Sequence, residues 1–151
     1  GVCNTLTLAL ALDAAVDLAP EILNLSLTGP EDVVLQALID RLLENGTLVV
    51  AAFDDGLQPD MRFPLNRKGI VYAYGVDGDQ QSPAVTSPDA VLLEAPRHAV
   101  SLSPEGGSDL VSGHSIAAPQ LSGLAARLMA QEPESERRHI LAMLSQWLKP
   151  Q

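Results

Sequence analysis

Cysteine is almost missing from this chain. Cys3 stands alone, so no intrachain disulfide and no cysteine-based metal cluster is possible, and the redox compartment stays open. Its expected place is that of a small packed side chain. Basic residues are also scarce. Nine Lys and Arg stand against 19 Asp and Glu, a formal net charge of -10. Without a basic run to neutralise phosphates, the composition argues against a nucleic-acid or anionic-membrane partner and for a solvated acidic surface. Long apolar runs are missing too. The stretch from Leu6 to Leu18 is too short to span a bilayer, carries Asp13 and Asp17, and has no basic residues ahead of it, so it reads as neither a transmembrane helix nor a signal peptide. The opening Gly1-Val2-Cys3 lacks a methionine and is expected to be internal to a longer polypeptide. Repeats, linkers and low-complexity segments are absent. The 151 residues fit one domain, 1–151, able to bury about two thirds of its unfolded surface.

What is present alternates between strand and helix. Thr5 to Leu18, rich in Ala and Leu and followed by Pro20, predicts a helix ending near Ala19. Ile22 to Leu27 is a short apolar run bounded by Pro20 and Thr28-Gly29-Pro30, a buried strand. Pro30, with Glu31 and Asp32 expected in the first turn, opens the clearest helix. Its stripe is Val34, Leu35, Leu38, Ile39 and Leu42, and Asn45-Gly46 is its stop. Thr47 to Ala52 is a second buried strand, so residues 22–52 form a right-handed parallel strand-helix-strand unit. Phe53 to Lys68 reads as a functional surface loop. Gly69 to Val76 is a third strand. Val91 to Ala95 is a shorter one, with Ala99 to Leu102 pairing in an edge hairpin, and Ser103 to Ser112 is a loop. An amphipathic helix over 134–148 closes the chain, with Arg137-Arg138 and His139 on a solvated face and Trp147 packing. The fold class is α/β.

The chemistry concentrates in Gly113-His114-Ser115-Ile116-Ala117-Ala118-Pro119-Gln120-Leu121-Ser122-Gly123. From Ser115 onward, Ile116, Ala117, Leu121, Leu124, Ala125 and Leu128 recur at helical spacing, predicting a helix to about Gln131. Pro119 is expected in the first turn, where a missing N–H costs nothing. Small residues (Gly113, Ala117, Ala118, Gly123) allow close backbone approach, and the positive end of the helix dipole points at the Ser115 hydroxyl. Negative charge developing there meets backbone N–H groups, as acyl transfer requires. The plain alternative is that Ser115 is only an N-cap.

The same run resembles the nucleophile motif of the subtilisin-like serine proteases, Gly-Thr-Ser-Met-Ala-(Ala/Thr)-Pro-His-Val-(Ala/Ser)-Gly. The resemblance reaches from the helix before Asn24 to the end of the chain. It implies the carboxyl-terminal part of a three-layer catalytic domain, a mostly parallel sheet with helices on both faces. Ser115 would be the nucleophile of a serine endopeptidase. Asn24-Leu25-Ser26-Leu27-Thr28-Gly29-Pro30 looks like the family's substrate-binding segment. Ser26, Leu27 and Thr28 would then pair with a substrate strand and wall the pocket for the residue before the scissile bond, against Ala52 and Phe53. No cofactor and no metal site is implied.

Val49-Val50-Ala51-Ala52-Phe53-Asp54-Asp55-Gly56 is similar to the family's Val-Val-Ala-Ala-Gly-Asn-x-Gly, with two departures. Phe53 takes the glycine position, where its ring fills or narrows the pocket. Asp54 takes the place of the oxyanion-hole asparagine, and an ionised carboxylate has no proton to donate. In subtilisin itself, losing that amide costs about 10²–10³ in turnover. A like charge about 4 Å from the oxyanion adds up to roughly 4 kcal/mol. A protonated Asp54 would restore a donor, and members of the kexin-like branch carry Asp at this place. His114 replaces the family's threonine and is a candidate oxyanion helper that compensates for Asp54.

The catalytic Asp and His have no match. The family orders its triad Asp, His, Ser, but His98 sits in Arg97-His98-Ala99, a poor match to the family's histidine setting, and Asp13, Asp17 and Asp32 lack the Asp-(Ser/Thr)-Gly setting. Both residues are therefore expected in an upstream segment or chain, the principal partner of this one, and a polypeptide is the expected substrate. The resemblance also implies a secreted or exported protein. The competing expectation is a catalytically degenerate subtilisin-like domain serving as a binding or scaffold module. An α/β-hydrolase fares worse, because Ala117 stands where a Gly-x-Ser-x-Gly elbow needs its second glycine.

Overall fold

The computed structural model describes residues 3–53, 63–64, 68–78 and 91–147. Helix α1 (Thr5–Leu18) starts where the Asn4 side chain accepts the Thr7 N–H at 2.8 Å, and ends at Ala19, whose φ of 44° breaks the helix just before Pro20. Strand β1 (Ile22–Leu25) follows, then helix α2 (Val33–Glu44). The acids expected in the first turn of α2 lie outside it. Asp32 is its N-cap, because its carboxylate accepts from Val34 N at 2.9 Å and Leu35 N at 3.1 Å. Those N–H groups have no acceptor inside the helix. Asp32→Ala is expected to lower stability by about 1 kcal/mol, read as a shift of the urea midpoint at unchanged slope. The other end follows the predicted stop. Gly46, at φ 88°, lets its N–H reach Leu43 O at 3.1 Å while Thr47 N–H reaches Leu42 O at 3.0 Å.

Strands β2 (Leu48–Ala52), β3 (Val71–Val76) and β4 (Val91–Pro96) complete a sheet of order β1-β2-β3-β4, parallel throughout. All five residues of β2 are buried because both of its faces are covered. Leu48, Val50 and Ala52, with Val71, Ala73, Leu93 and Ala95, pack on helices α3 (His114–Gln131) and α4 (Arg137–Trp147). Val49, Ala51 and Tyr72 pack with Leu12 and Val16 of α1 and Leu38, Ile39 and Leu42 of α2. Three layers result, as expected. No helix among the described residues is long and apolar enough to cross a membrane.

The region before α3 departs from expectation. Val91 to Pro96 joins the parallel sheet beside β3, so it forms no hairpin with the residues that follow. Those residues, β5 (His98–Leu102), pair antiparallel with β6 (Ser108–Ser112), part of the expected loop. Exposed except at the half-buried Val111, β6 carries no apolar alternation that would mark it as a strand. Cys3 is exposed and not packed. Arg137 is half-buried and donates to Gly69 O, and desolvation lowers its pKa below the usual arginine value. Trp147 is 60% exposed, with the Arg127 guanidinium 5.7 Å above its ring.

Candidate active site

Parallel strands deliver their carboxyl ends to one edge of a sheet, and the predicted site residues with described positions gather there. Ser26, Leu27 and Thr28 run on from the end of β1, and Gly29 exchanges two backbone hydrogen bonds with Phe63, at 3.0 and 2.9 Å. Ala52 ends β2 and Phe53 follows, its N–H donating to Ala73 O at 2.9 Å. The chain returns to this edge when Gly113 N–H bonds Arg97 O at 3.0 Å, and α3 then begins.

Ser115 is the second residue of α3 and not its cap. Gly113 holds the cap position without a side-chain hydrogen bond, in a conformation (φ 139°, ψ 165°) open in practice only to glycine. The Ser115 hydroxyl is exposed, and among the described residues it has no hydrogen-bond partner. Its backbone N–H lies in the helix turn that has no internal acceptor. Because α3 starts at His114, Pro119 falls in the second turn, a correction to the expected first. It removes the N–H that would otherwise bond the Ser115 carbonyl. Ala117 and Ala118 are fully buried against the sheet as expected, but Gly123 faces open space.

Several partners were invisible in the sequence. Ser122 Oγ lies 2.9 Å from Ala118 O and 3.0 Å from Asn24 Oδ1, and Asn24 Nδ2 donates to Ser26 Oγ at 2.9 Å. The segment from Asn24 to Ser26 is thus tied to α3. Gln120 Nε2 bonds Pro96 O at 2.7 Å, tying the helix to β4. His114 Nδ1 accepts the Gly75 N–H at 3.1 Å, and its ring lies 4.5 Å from that of Tyr74. Phe53 sits between Tyr72 (6.1 Å) and Tyr74 (6.2 Å), and of these rings Tyr74 reaches His114 at the start of α3. The one signal available beforehand was Tyr72 and Tyr74 at strand spacing on one face. Asp54 lies outside the described residues, and so does the expected compensation between it and His114. His98 Nε2 is 2.9 Å from Asp77 Oδ1, both side chains partly exposed.

A cavity of about 370 Å³ opens between the start of α1 and the residues after β1, lined among others by Leu8, Leu27, Thr28, Gly29, Leu35 and Phe63. No group of three or more potential metal ligands occurs among the described residues.

No protein-family model matches the chain. Individual proteins do. Subtilisin-like protease 5 of Arthroderma gypseum is 33% identical over 118 residues, 76% of this chain and 30% of that protein. Subtilisin-like protease 5 of Arthroderma otae is 33% identical over 130 residues, 83% and 33% of the two. The chain belongs to the subtilisin-like protease family. It spans about a third of the length of these curated relatives. Sphericase superposes with a TM-score of 0.78 at 21% identity, over 97% of this subtilisin-like chain and 56% of that one. The S41 psychrophilic protease superposes at 0.74 and 23%, over 93% and 54%. At such identities the likeness establishes the fold, part of the subtilisin architecture. The prenylagaramide maturation protease PagA is 26% identical with a TM-score of 0.69, over 88% of this chain and 52% of that one.

Proposed function

We propose that this chain is the nucleophile-bearing, carboxyl-terminal part of a subtilisin-like catalytic domain that hydrolyses peptide bonds by acyl transfer through Ser115. The observation that carries the reading is the exposed hydroxyl on the first turn of a buried helix, without a hydrogen-bond partner among the described residues, behind a cap conformation that glycine alone tolerates. Ser115 Oγ attacks the scissile carbonyl carbon while its proton passes to a histidine supplied, with the catalytic aspartate, by an upstream segment. The carbonyl oxygen takes up the negative charge and accepts the Ser115 N–H, and Asp54, which takes the family's asparagine position in the sequence, would supply a second donor only in its protonated form. Collapse of the tetrahedral species breaks the C–N bond, the amine leaves with the proton, and water hydrolyses the acyl-enzyme. An extended substrate pairs with Ser26, Leu27 and Thr28. The cavity beside Leu27 receives one of its apolar side chains.

Phe53 favours the second reading, a degenerate domain that binds without cleaving, because its ring occupies space where the family has none. A fluorophosphonate probe separates the two. The chain is assembled with a segment supplying the Asp and His, labelled and mapped by mass spectrometry. A covalent adduct on Ser115 is expected, and an intact segment that stays unlabelled overturns the proteolytic reading in favour of the scaffold.

A further inference from the structure

Residues on a strand alternate the side to which their backbone groups point. Ala73 O accepts the Phe53 N–H, so Ala73 faces β2, and Gly75, two residues on, faces the same way. In a continuing parallel ladder the Gly75 N–H would bond the Phe53 carbonyl. The pairing of β2 with β3 stops at Ala52 and Ala73, however, and the buried Gly75 N–H donates to His114 Nδ1 at 3.1 Å. A side chain next to the proposed nucleophile has taken the place of a strand. The other side of this junction is closed as well. Arg97 N–H bonds Val76 O at 3.0 Å and Gly113 N–H bonds Arg97 O at 3.0 Å. A Cβ on Gly75 would stand 3.3 Å from Arg97 Cα, tighter than ordinary packing. Gly75, Val76, Arg97, Gly113 and His114 form a closed circuit that fixes the first turn of α3 to the end of β3.

We infer that His114 is a positioning residue: its Nδ1, as the acceptor for Gly75, sets where Ser115 stands, and it does so through the strand and not through the oxyanion. This rests on the reading of Ser115 as nucleophile. The bond also fixes the tautomer, with the ring proton on Nε2, and Tyr74 holds the ring plane.

Asparagine places an acceptor where Nδ1 stands and offers nothing at Nε2. Glutamine places a donor near Nε2 and nothing at Nδ1, and phenylalanine keeps only the ring. In the assembled enzyme, His114→Asn is expected to keep kcat within a few-fold of the wild type. His114→Phe and His114→Gln are expected to lose roughly 10²-fold in kcat at nearly unchanged KM, the effect of a misplaced reacting group. Exchange of the Gly75 amide should accelerate tenfold or more in His114→Phe, through loss of its acceptor, and stay protected in His114→Asn. Recovery of kcat by glutamine but not asparagine would show the ring acting through Nε2 on the reacting atoms and overturn the inference. Gly75 exchange indifferent to all three variants would overturn it equally. If the wild type takes no probe at Ser115, the proteolytic reading falls by itself, while the exchange measurement still decides whether the imidazole holds the strand.

Discussion

Ser115→Ala is expected to abolish peptide hydrolysis and fluorophosphonate labelling in the assembled enzyme and to leave its stability where it was. The first half follows from the chemistry. Without the Oγ no acyl-enzyme forms, and in subtilisin itself removal of the nucleophile lowers kcat by about 10⁶. The second half follows from the geometry. The side chain is exposed, caps nothing and has no hydrogen-bond partner among the described residues. Alanine is at least as good a helix former as serine, so the change in unfolding free energy should stay within about 0.5 kcal/mol. Thermal melts and active-site titration on the same preparation give both numbers. A Ser115→Ala protein that still hydrolyses peptide at the wild-type rate would move the nucleophile elsewhere, and one that unfolds would make Ser115 a structural residue.

Leu42→Ala should have the largest effect on stability, a loss of about 2–5 kcal/mol. Leu42 is fully buried on α2, in the core that α1 and α2 build on one face of the sheet with Val49, Ala51 and Tyr72. Its neighbours belong to helices and strands that cannot all collapse into the space it leaves, so a cavity persists and adds to the lost transfer energy. At this chain length that corresponds to a drop in Tm of roughly 4–20 °C. Leu10→Ala, at a side chain of α1 that is 63% exposed, is the control and should shift Tm far less. Equal losses at both positions would mean that this assignment of inner and outer faces is wrong.

Much of the architecture could be read from local pattern. Helix α2 has an apolar stripe and a glycine positioned to end it. The apolar runs at β1 and β2, too short for helices and flanked by turn residues, required a sheet covered on both sides. The helical spacing after Ser115 fixed α3 to within a residue at each end. The misreadings arose where local pattern is weak. For Asp32 the pattern is ambiguous because a carboxylate is equally at home in the first turn and at the cap, and the choice depends on which N–H groups it reaches. Strand β6 is exposed at every residue but Val111, so no alternation recorded it.

The sequence by itself determined the class of fold, the serine at the head of its helix and the kinship of the motif around it, because these depend on periods and neighbours a few residues apart. Only the tertiary structure decided that Asn24 and Ser122 link the end of β1 to α3, and that His114 is held by Gly75. Each of those facts depends on the distance between residues far apart in the chain. Such distances come from the packing of whole helices and strands, and no spacing along the polypeptide encodes them.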